Sequence, residues 1–475
     1  MRIWALCLLT LIACGDSKPN VSPDASGTPD TTMGDADPGA VGDILDELNK
    51  IPGMTAVEGM TMTAGYRFFQ MQYEQPVDHK NPGGAHFTQR MTLMYRNYAA
   101  PMVVYNSGYF VSYTRGSRSQ VTQLVDGNQL SMEYRYFEPS RPDPADWTKL
   151  DIEQAANDQH RITQVLQARL FQGKWLTTGA SKGGMTSLFH RRFFPDDVDG
   201  TVAFVAPIDY PEDAVQSPTN RFFVFLENVG TDPTCRQKLK DFQNLALARR
   251  DAMKTRMRMA ATYTAILGED RALEFAVEEL PFIFWQYGSQ SQCSKIPANT
   301  ATDDAVFKFL DDTIDVTSYG DADLTDYLPY YHQSATQLGY PISDESYLVG
   351  LMYPGGDTAQ AYVPSSIPAP VYDNGTAMHD FQDWLSASGE HILLIYGQND
   401  PWSAGQATLG NATDSFKFIA PNGNHGSGIA TLNADDEATA TAAVMRWAGL
   451  AMKKAKPLGL ERTTEQDELA LRRRR

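Results

Sequence analysis

The sequence predicts an α/β fold, a sheet domain with an inserted, mainly helical cap, and three observations predict it. Short β-rich runs alternate with helical stretches up to about residue 210, the pattern of parallel strands joined by crossover helices. That rhythm gives way to helical and aromatic-rich sequence over 211–375, then returns at 391–397 and 415–419. Between residues 174 and 205 a strand, a sharp turn, a helix and a second strand succeed one another around a glycine-flanked serine.

The bulk properties suit that architecture. At 475 residues the chain is long enough for one large catalytic domain and an insertion. Hydrophobic residues make up 42% and charged residues 21%, which excludes wholesale disorder. A formal net charge of −18 repels phosphate backbones and anionic headgroups, so nucleic acid is not an expected partner. The basic run Arg472-Arg473-Arg474-Arg475 reads as a solvated tail. Oligomeric state leaves no trace in the sequence.

At the N-terminus Arg2 precedes an apolar run over residues 3–12, too short for a permanent membrane span, so residues 1–13 read as a signal peptide. The run ends in Leu11-Ile12-Ala13-Cys14-Gly15, which resembles the lipobox of bacterial lipoproteins. Cys14 is the expected lipidation site and the only expected membrane attachment, with unlipidated secretion as the other outcome. Residues 14–40, rich in Asp, Ser, Thr, Pro and Gly, read as a tether. Cys7 leaves with the signal peptide, so Cys235 and Cys293 remain in the folded part, and export predicts a disulfide between them. No CxxC pair or HExxH spacing occurs, so neither a metal nor a cofactor is expected.

The expected sheet domain covers 41–210 and 376–455, the cap 211–375, and a charged tail 456–475. Strands are expected at 102–105, 130–136, 174–178 and 201–205. A crossover helix over 148–170 stops at Gly173, a helix follows over 183–194, and a final helix reaches about 453.

Gly179-Ala180-Ser181-Lys182-Gly183 matches the G-x-S-x-G nucleophile elbow of α/β-hydrolases, whose small residues permit a strained turn that exposes the serine. In that fold an acid and then a histidine follow the nucleophile in sequence. Asp400 follows the 391–397 strand within Gly397-Gln398-Asn399-Asp400-Pro401-Trp402. Of eight histidines only His425 lies beyond it, in the loop after the last strand. The expected catalytic set is therefore Ser181, Asp400 and His425: the imidazole takes the serine proton, the carboxylate fixes the tautomer, and activity falls as His425 is protonated. The oxyanion would be met by the amide of Lys182 and by that of Gly108 or Tyr109 at the end of the 102–105 strand.

Several stretches resemble the secreted bacterial tripeptidyl and prolyl tri/tetrapeptidyl aminopeptidases: 179–186, His190-Arg191-Arg192-Phe193, Asp197-Val198-Asp199-Gly200, 152–158, 280–287 and Thr336-Gln337-Leu338-Gly339-Tyr340-Pro341. The resemblance spans about residues 60–450 and is similar in plan to lysosomal prolyl carboxypeptidase and dipeptidyl peptidase. It implies a serine peptidase with a helical roof, releasing short N-terminal peptides, often after proline. Met132-Glu133-Tyr134-Arg135-Tyr136-Phe137 departs from the family's usual Glu-His-Arg by placing Tyr134 where the histidine stands.

Glu133 is the expected anchor for a substrate α-amino group, against the alternative of a structural ion pair with an arginine. Trp285, Tyr287 and Trp402 are the expected lining of an apolar pocket. Peptide substrates are thus the expected partners. The elbow serves a carboxylesterase or lipase equally well, though no His-Gly-Gly run follows the first oxyanion strand. A non-catalytic, ligand-binding surface lipoprotein is the alternative from another class.

Overall fold

Among the described residues nine strands form one sheet: β1 (Met54–Gly59), β2 (Arg67–Pro76), β3 (His86–Tyr95), β4 (Met102–Asn106), β5 (Asn128–Met132), β6 (Trp175–Ala180), β7 (Gly200–Phe204), β8 (Ile392–Gly397) and β9 (Phe416–Ala420). The computed structural model describes residues 42–451 and 463–465. The expected signal peptide, Cys14, the tether and the Arg472–Arg475 run lie outside the described residues. Those described fall within the unit Gly42–Arg475.

Across the sheet the strands run β1-β2-β3-β5-β4-β6-β7-β8-β9. Every neighbouring pair from β5 to β9 is parallel, the arrangement expected of crossover connections. The pairs β1–β2, β2–β3 and β3–β5 are antiparallel, which departs from the expected parallel start. The linkers 60–66 and 77–85 explain the first two of these pairs, since a parallel crossover needs about a dozen residues or more. The expected strand over 130–136 ends at Met132. Beyond it the chain turns, with Tyr136 at φ 72° and its amide bonded to the Ser140 carbonyl.

Helices pack on both faces. Before the insertion come α1 (Ile44–Asn49), α2 (Gln120–Val125), α3 (Ile152–Arg169) and α4 (Lys182–Phe193). The insertion holds α5 (Arg221–Asn228), α6 (Pro233–Ala248), α7 (Arg250–Ala260), α8 (Glu269–Glu278), α9 (Leu280–Tyr287), α10 (Asp303–Ile314), α11 (Asp321–Asp326) and α12 (Leu328–Gln333). After it come α13 (Thr376–Ser388) and α14 (Ala434–Trp447). The crossover α3 starts at Asp151, whose carboxylate caps the Gln154 amide at 2.7 Å. Residues 147–149 form a separate single turn.

The two-residue period of the strands divides the core. Val104 and Leu130 pack against Ile162 and Leu166 of α3. Val103, Leu176, Val202 and Leu393 point the other way, onto Val121 of α2 and Val444 of α14. Between β7 and β8 the described residues contain no strand. That insertion has its own core, with Leu239, Phe242, Leu273, Phe275, Trp285 and Leu310 all buried. Cys235 on α6 and Cys293 are joined by a disulfide with Cα atoms 5.3 Å apart.

Candidate active site

Ser181 sits where β6 ends and α4 begins, at φ 56° and ψ −129°. A side chain at positive φ is costly and persists only where surrounding contacts fix it. Here the Ser181 amide donates to the Phe204 carbonyl of β7 at 2.9 Å, and the Ser181 carbonyl accepts from Met185 at 3.0 Å. The flanking glycines are steric necessities. A Cβ on Gly179 would meet the Asn106 carbonyl at 2.5 Å, and one on Gly183 would collide with the same oxygen. The G-x-S-x-G spacing thus lets β4, β6 and the first turn of α4 touch.

Asp400 and His425 follow β8 and β9, so both loops leave the same sheet edge as Ser181. The His425 Nδ1–H donates to Asp400 Oδ2 at 2.7 Å, and both side chains are buried. Asp400 Oδ1 accepts the Trp402 amide at 3.2 Å, which orients the carboxylate. The histidine loop is also tied to the insertion: the His425 amide donates to the Gln286 carbonyl at 2.9 Å, and Asn424 Nδ2 to the Gly288 carbonyl at 3.1 Å. His425 Nε2 is enclosed and has no hydrogen-bond partner among the described residues. This is the nitrogen that a general base at Ser181 must present.

Ser181 opens into a cavity of about 1040 Å³ between the sheet edge and the insertion. Tyr287 and Trp402 both line it, and their rings pack on His425 at centroid distances of 5.9 and 6.4 Å. These two expected pocket residues therefore join the imidazole to the cavity wall. Trp285 does not line this cavity. It is 1% exposed, packed edge-on against Phe284 in the core of the insertion, which corrects its assignment as a binding residue.

Gly108 lies against the elbow at φ +75°, where a Cβ would stand 2.5 Å from the Gly183 amide nitrogen, so only glycine allows the approach. The Tyr109 amide donates to Ser107 Oγ at 3.0 Å, which commits that candidate oxyanion donor elsewhere. Lys182 contributes more than an amide. Its buried Nζ donates to the Gly108 carbonyl at 2.8 Å and stands 3.1 Å from the centroid of the Tyr134 ring. Tyr134, the departure from the family's histidine, thus supplies an aromatic face to an ammonium that pins the Gly108 loop.

Glu133 is not an amine anchor. It is 0% exposed and paired with Arg90 through two bonds of 3.0 and 2.6 Å, and it also accepts from Ser140 Oγ at 2.7 Å and the Val111 amide at 3.2 Å. Its charge and its acceptors are already taken. Arg135 and Asp158 form a second buried pair, at 2.7 and 2.8 Å, and Asp197 bridges His160 and His190. The Asp197 pair ties α3 and α4 to the turn before β7.

Asp209 and Glu279 are cavity residues that the sequence does not single out. Asp209, just beyond β7, is 3% exposed, and its Oδ1 has no hydrogen-bond partner among the described residues. Burial, and then the neighbouring Asp213 charge, push its carboxyl up to about 8. An aspartate after Pro207-Ile208 carries no local signal of that burial. Among the described residues no group of three or more His, Cys, Asp or Glu is arranged to hold a metal ion.

Residues 36–461 match the family described as PS-10 peptidase S37. A prolyl tri/tetrapeptidyl aminopeptidase of Streptomyces mobaraensis is 46% identical over 451 residues, which cover 90% of this chain and 92% of that protein. Among solved structures, the proline iminopeptidase of Mycobacterium smegmatis is 13% identical over 79% of this chain and 98% of its own, with a TM-score of 0.34. A peroxisomal alpha-beta-hydrolase of Saccharomyces cerevisiae is 9% identical over 87% and 97%, with a TM-score of 0.33.

Proposed function

The chain belongs to the PS-10 peptidase S37 family and is a serine peptidase, and on that premise we propose that it releases peptides of three or four residues from free N-termini, often after proline. The observation that carries the reading is the position of Ser181 inside a roofed cavity. Such a space admits the end of a peptide and turns away the middle of a folded chain. The identity to an aminopeptidase over nine-tenths of the sequence supports the same reading.

In this mechanism Ser181 Oγ attacks the scissile carbonyl while His425 Nε2 takes its proton, and the imidazolium then protonates the leaving amine as the C–N bond breaks. The short bond from His425 to Asp400 supports the tautomer this requires. The amides of Lys182 and Gly108 receive the oxyanion. Water, deprotonated by the same imidazole, hydrolyses the acyl-enzyme and frees Ser181.

The decisive assay offers purified protein an unblocked tripeptide amide ending in proline, the same compound N-acetylated, and a simple acyl ester. Turnover of the unblocked amide alone is the expected result. Turnover of the ester with neither amide would overturn the peptide specificity proposed here.

The proposal extends to export, with Cys14 as a lipid anchor, which the apolar run ending at Ala13-Cys14 supports. The mass of the mature N-terminal peptide from the producing cell tests it. A diacylglyceryl cysteine at position 14 is expected, and an unprocessed Met1 would refute it.

A further inference from the structure

The roof of the cavity carries a carboxylate that the mechanism above does not use. Glu279 stands between α8 and α9 and lines the same space as Ser181. Hydroxyls from separate stretches of the insertion converge on it: Tyr319 donates to Oε2 at 2.6 Å and Tyr340 to Oε1 at 2.8 Å, while the Tyr362 hydroxyl stands 3.1 Å from Oε1 and 2.8 Å from Asp357 Oδ1. Glu279 makes no ion pair among the described residues. Its buried neighbour Asp357 is hydrogen-bonded to it, and burial, then the Glu279 carboxylate, push the Asp357 carboxyl well above its usual range.

The contrast with Glu133 is one of charge. Arg90 satisfies the acceptors of Glu133 and cancels its charge, whereas Glu279 is met by tyrosine hydroxyls and has no cationic partner among the described residues. Burial raises the phenols of Tyr319, Tyr340 and Tyr362 far above their ordinary range, so they remain neutral donors. A carboxylate fixed in this way, with the rings of Tyr319, Tyr331 and Tyr340 along the same wall, matches an organic ammonium. Two carboxyl groups among phenols, Glu279 and Asp357, are a poor match for a divalent metal, which takes about six or more oxygen ligands; among the described residues no group of three or more His, Cys, Asp or Glu is arranged to hold one.

The position of this anchor also sets a length. Glu279, Ile283, Gln286 and Tyr287 recur at helical spacing and all line the cavity, so α9 lies along its wall. The far end of α9 meets His425, through the Gln286 carbonyl and the Tyr287 ring. Seven or eight residues at about 1.5 Å each separate Glu279 from that end by roughly 10–12 Å. An extended peptide covers about 3.3–3.6 Å per residue, so three residues span roughly 10–11 Å and two only about 7 Å.

We propose that Glu279, oriented by Tyr319 and Tyr340, receives the free α-ammonium of the substrate, and that α9 sets the length released by holding this anchor about a tripeptide away from His425. The inference rests on the aminopeptidase reading above and names the group that would select the chain end.

The test compares the full-length protein with Glu279→Gln and Tyr319→Phe on three amides: an unblocked tripeptide, its N-acetyl form, and an unblocked dipeptide. Fluorophosphonate labelling of Ser181, which needs no amine, reports an intact elbow. Glu279→Gln should lose about 10–100-fold in kcat/KM on the unblocked tripeptide, mostly through KM, as expected for a lost hydrogen bond to a charged group. Its preference for unblocked over acetylated tripeptide should collapse toward one. Tyr319→Phe, which keeps the charge, should show the same pattern at about 3–10-fold.

A labelled Glu279→Gln protein that keeps the wild-type preference would overturn the anchor while leaving the aminopeptidase reading intact. Equal turnover of blocked and unblocked tripeptide by the wild type would defeat that reading, and the inference with it. Should Glu279→Gln fail to label, the preference measured in Tyr319→Phe decides: a reduced preference supports the anchor, and an unchanged one rejects it.

Discussion

The floor of the cavity and its roof meet the same space by different means. On the floor, Ser181, Asp400 and His425 leave the ends of β6, β8 and β9, and their positions follow from strand register and one strained turn. In the roof, Glu279, Tyr319, Tyr340 and Tyr362 come from helices and loops with no shared register, brought together only by packing within the insertion. The difference suits a division of labour: backbone hydrogen bonds fix the proposed catalytic groups, and side-chain packing shapes the proposed anchor for the peptide end. A change on the floor should therefore touch every substrate, and a change in the roof should touch selection or local stability.

The harshest break of that division is Ser181→Ala, expected to lower kcat/KM by about 10⁴–10⁶-fold on every amide, with loss of fluorophosphonate labelling. Unequal losses across substrates would show that the floor does not act alone. Glu133→Gln asks whether the motif glutamate belongs to the scaffold. Removing one partner of its buried pair with Arg90 should cost about 3–5 kcal/mol in denaturant unfolding, with the preference for unblocked peptides retained.

In the roof, replacing Cys235 and Cys293 together by Ser should cost about 2–4 kcal/mol, read as an earlier unfolding step in calorimetry. Labelling of Ser181 at room temperature should survive that change.

Asp209→Asn gives the smallest effect, and it depends on pH. The folded carboxyl titrates near 8, above the ordinary 3.8, so between these values the unfolded chain releases a proton that the native state keeps. Native stability then falls as pH rises from about 4 to about 8. Each unit of raised pKa is worth about 1.4 kcal/mol before water in the cavity screens it. Asp209→Asn should accordingly gain about 1–3 kcal/mol at pH 8 and almost nothing at pH 4. Parallel stability curves for the two proteins would refute the assignment.

The residues that were legible in the sequence carried their own local context. Ser181 stood between glycines after a strand, and His425 was the sole histidine beyond Asp400. Glu133 was misassigned because its partner is set by sheet topology: Met91 pairs with Met132, so Arg90 falls beside Glu133 across an antiparallel ladder. Trp285 and Tyr287 looked equivalent as neighbouring aromatics, yet two residues along a helix differ by about 200° in direction. One therefore faces the core of the insertion and the other the cavity.

The sequence by itself determined the fold class and the order of the proposed catalytic residues, because strand period, turn chemistry and the glycine-flanked elbow act over a few neighbouring positions. Only the tertiary structure decided which glutamate was paired with arginine and which was met by tyrosine hydroxyls in the cavity wall. That outcome depends on what stands within a few ångströms of each carboxylate in space, and residues far apart in the chain supply it.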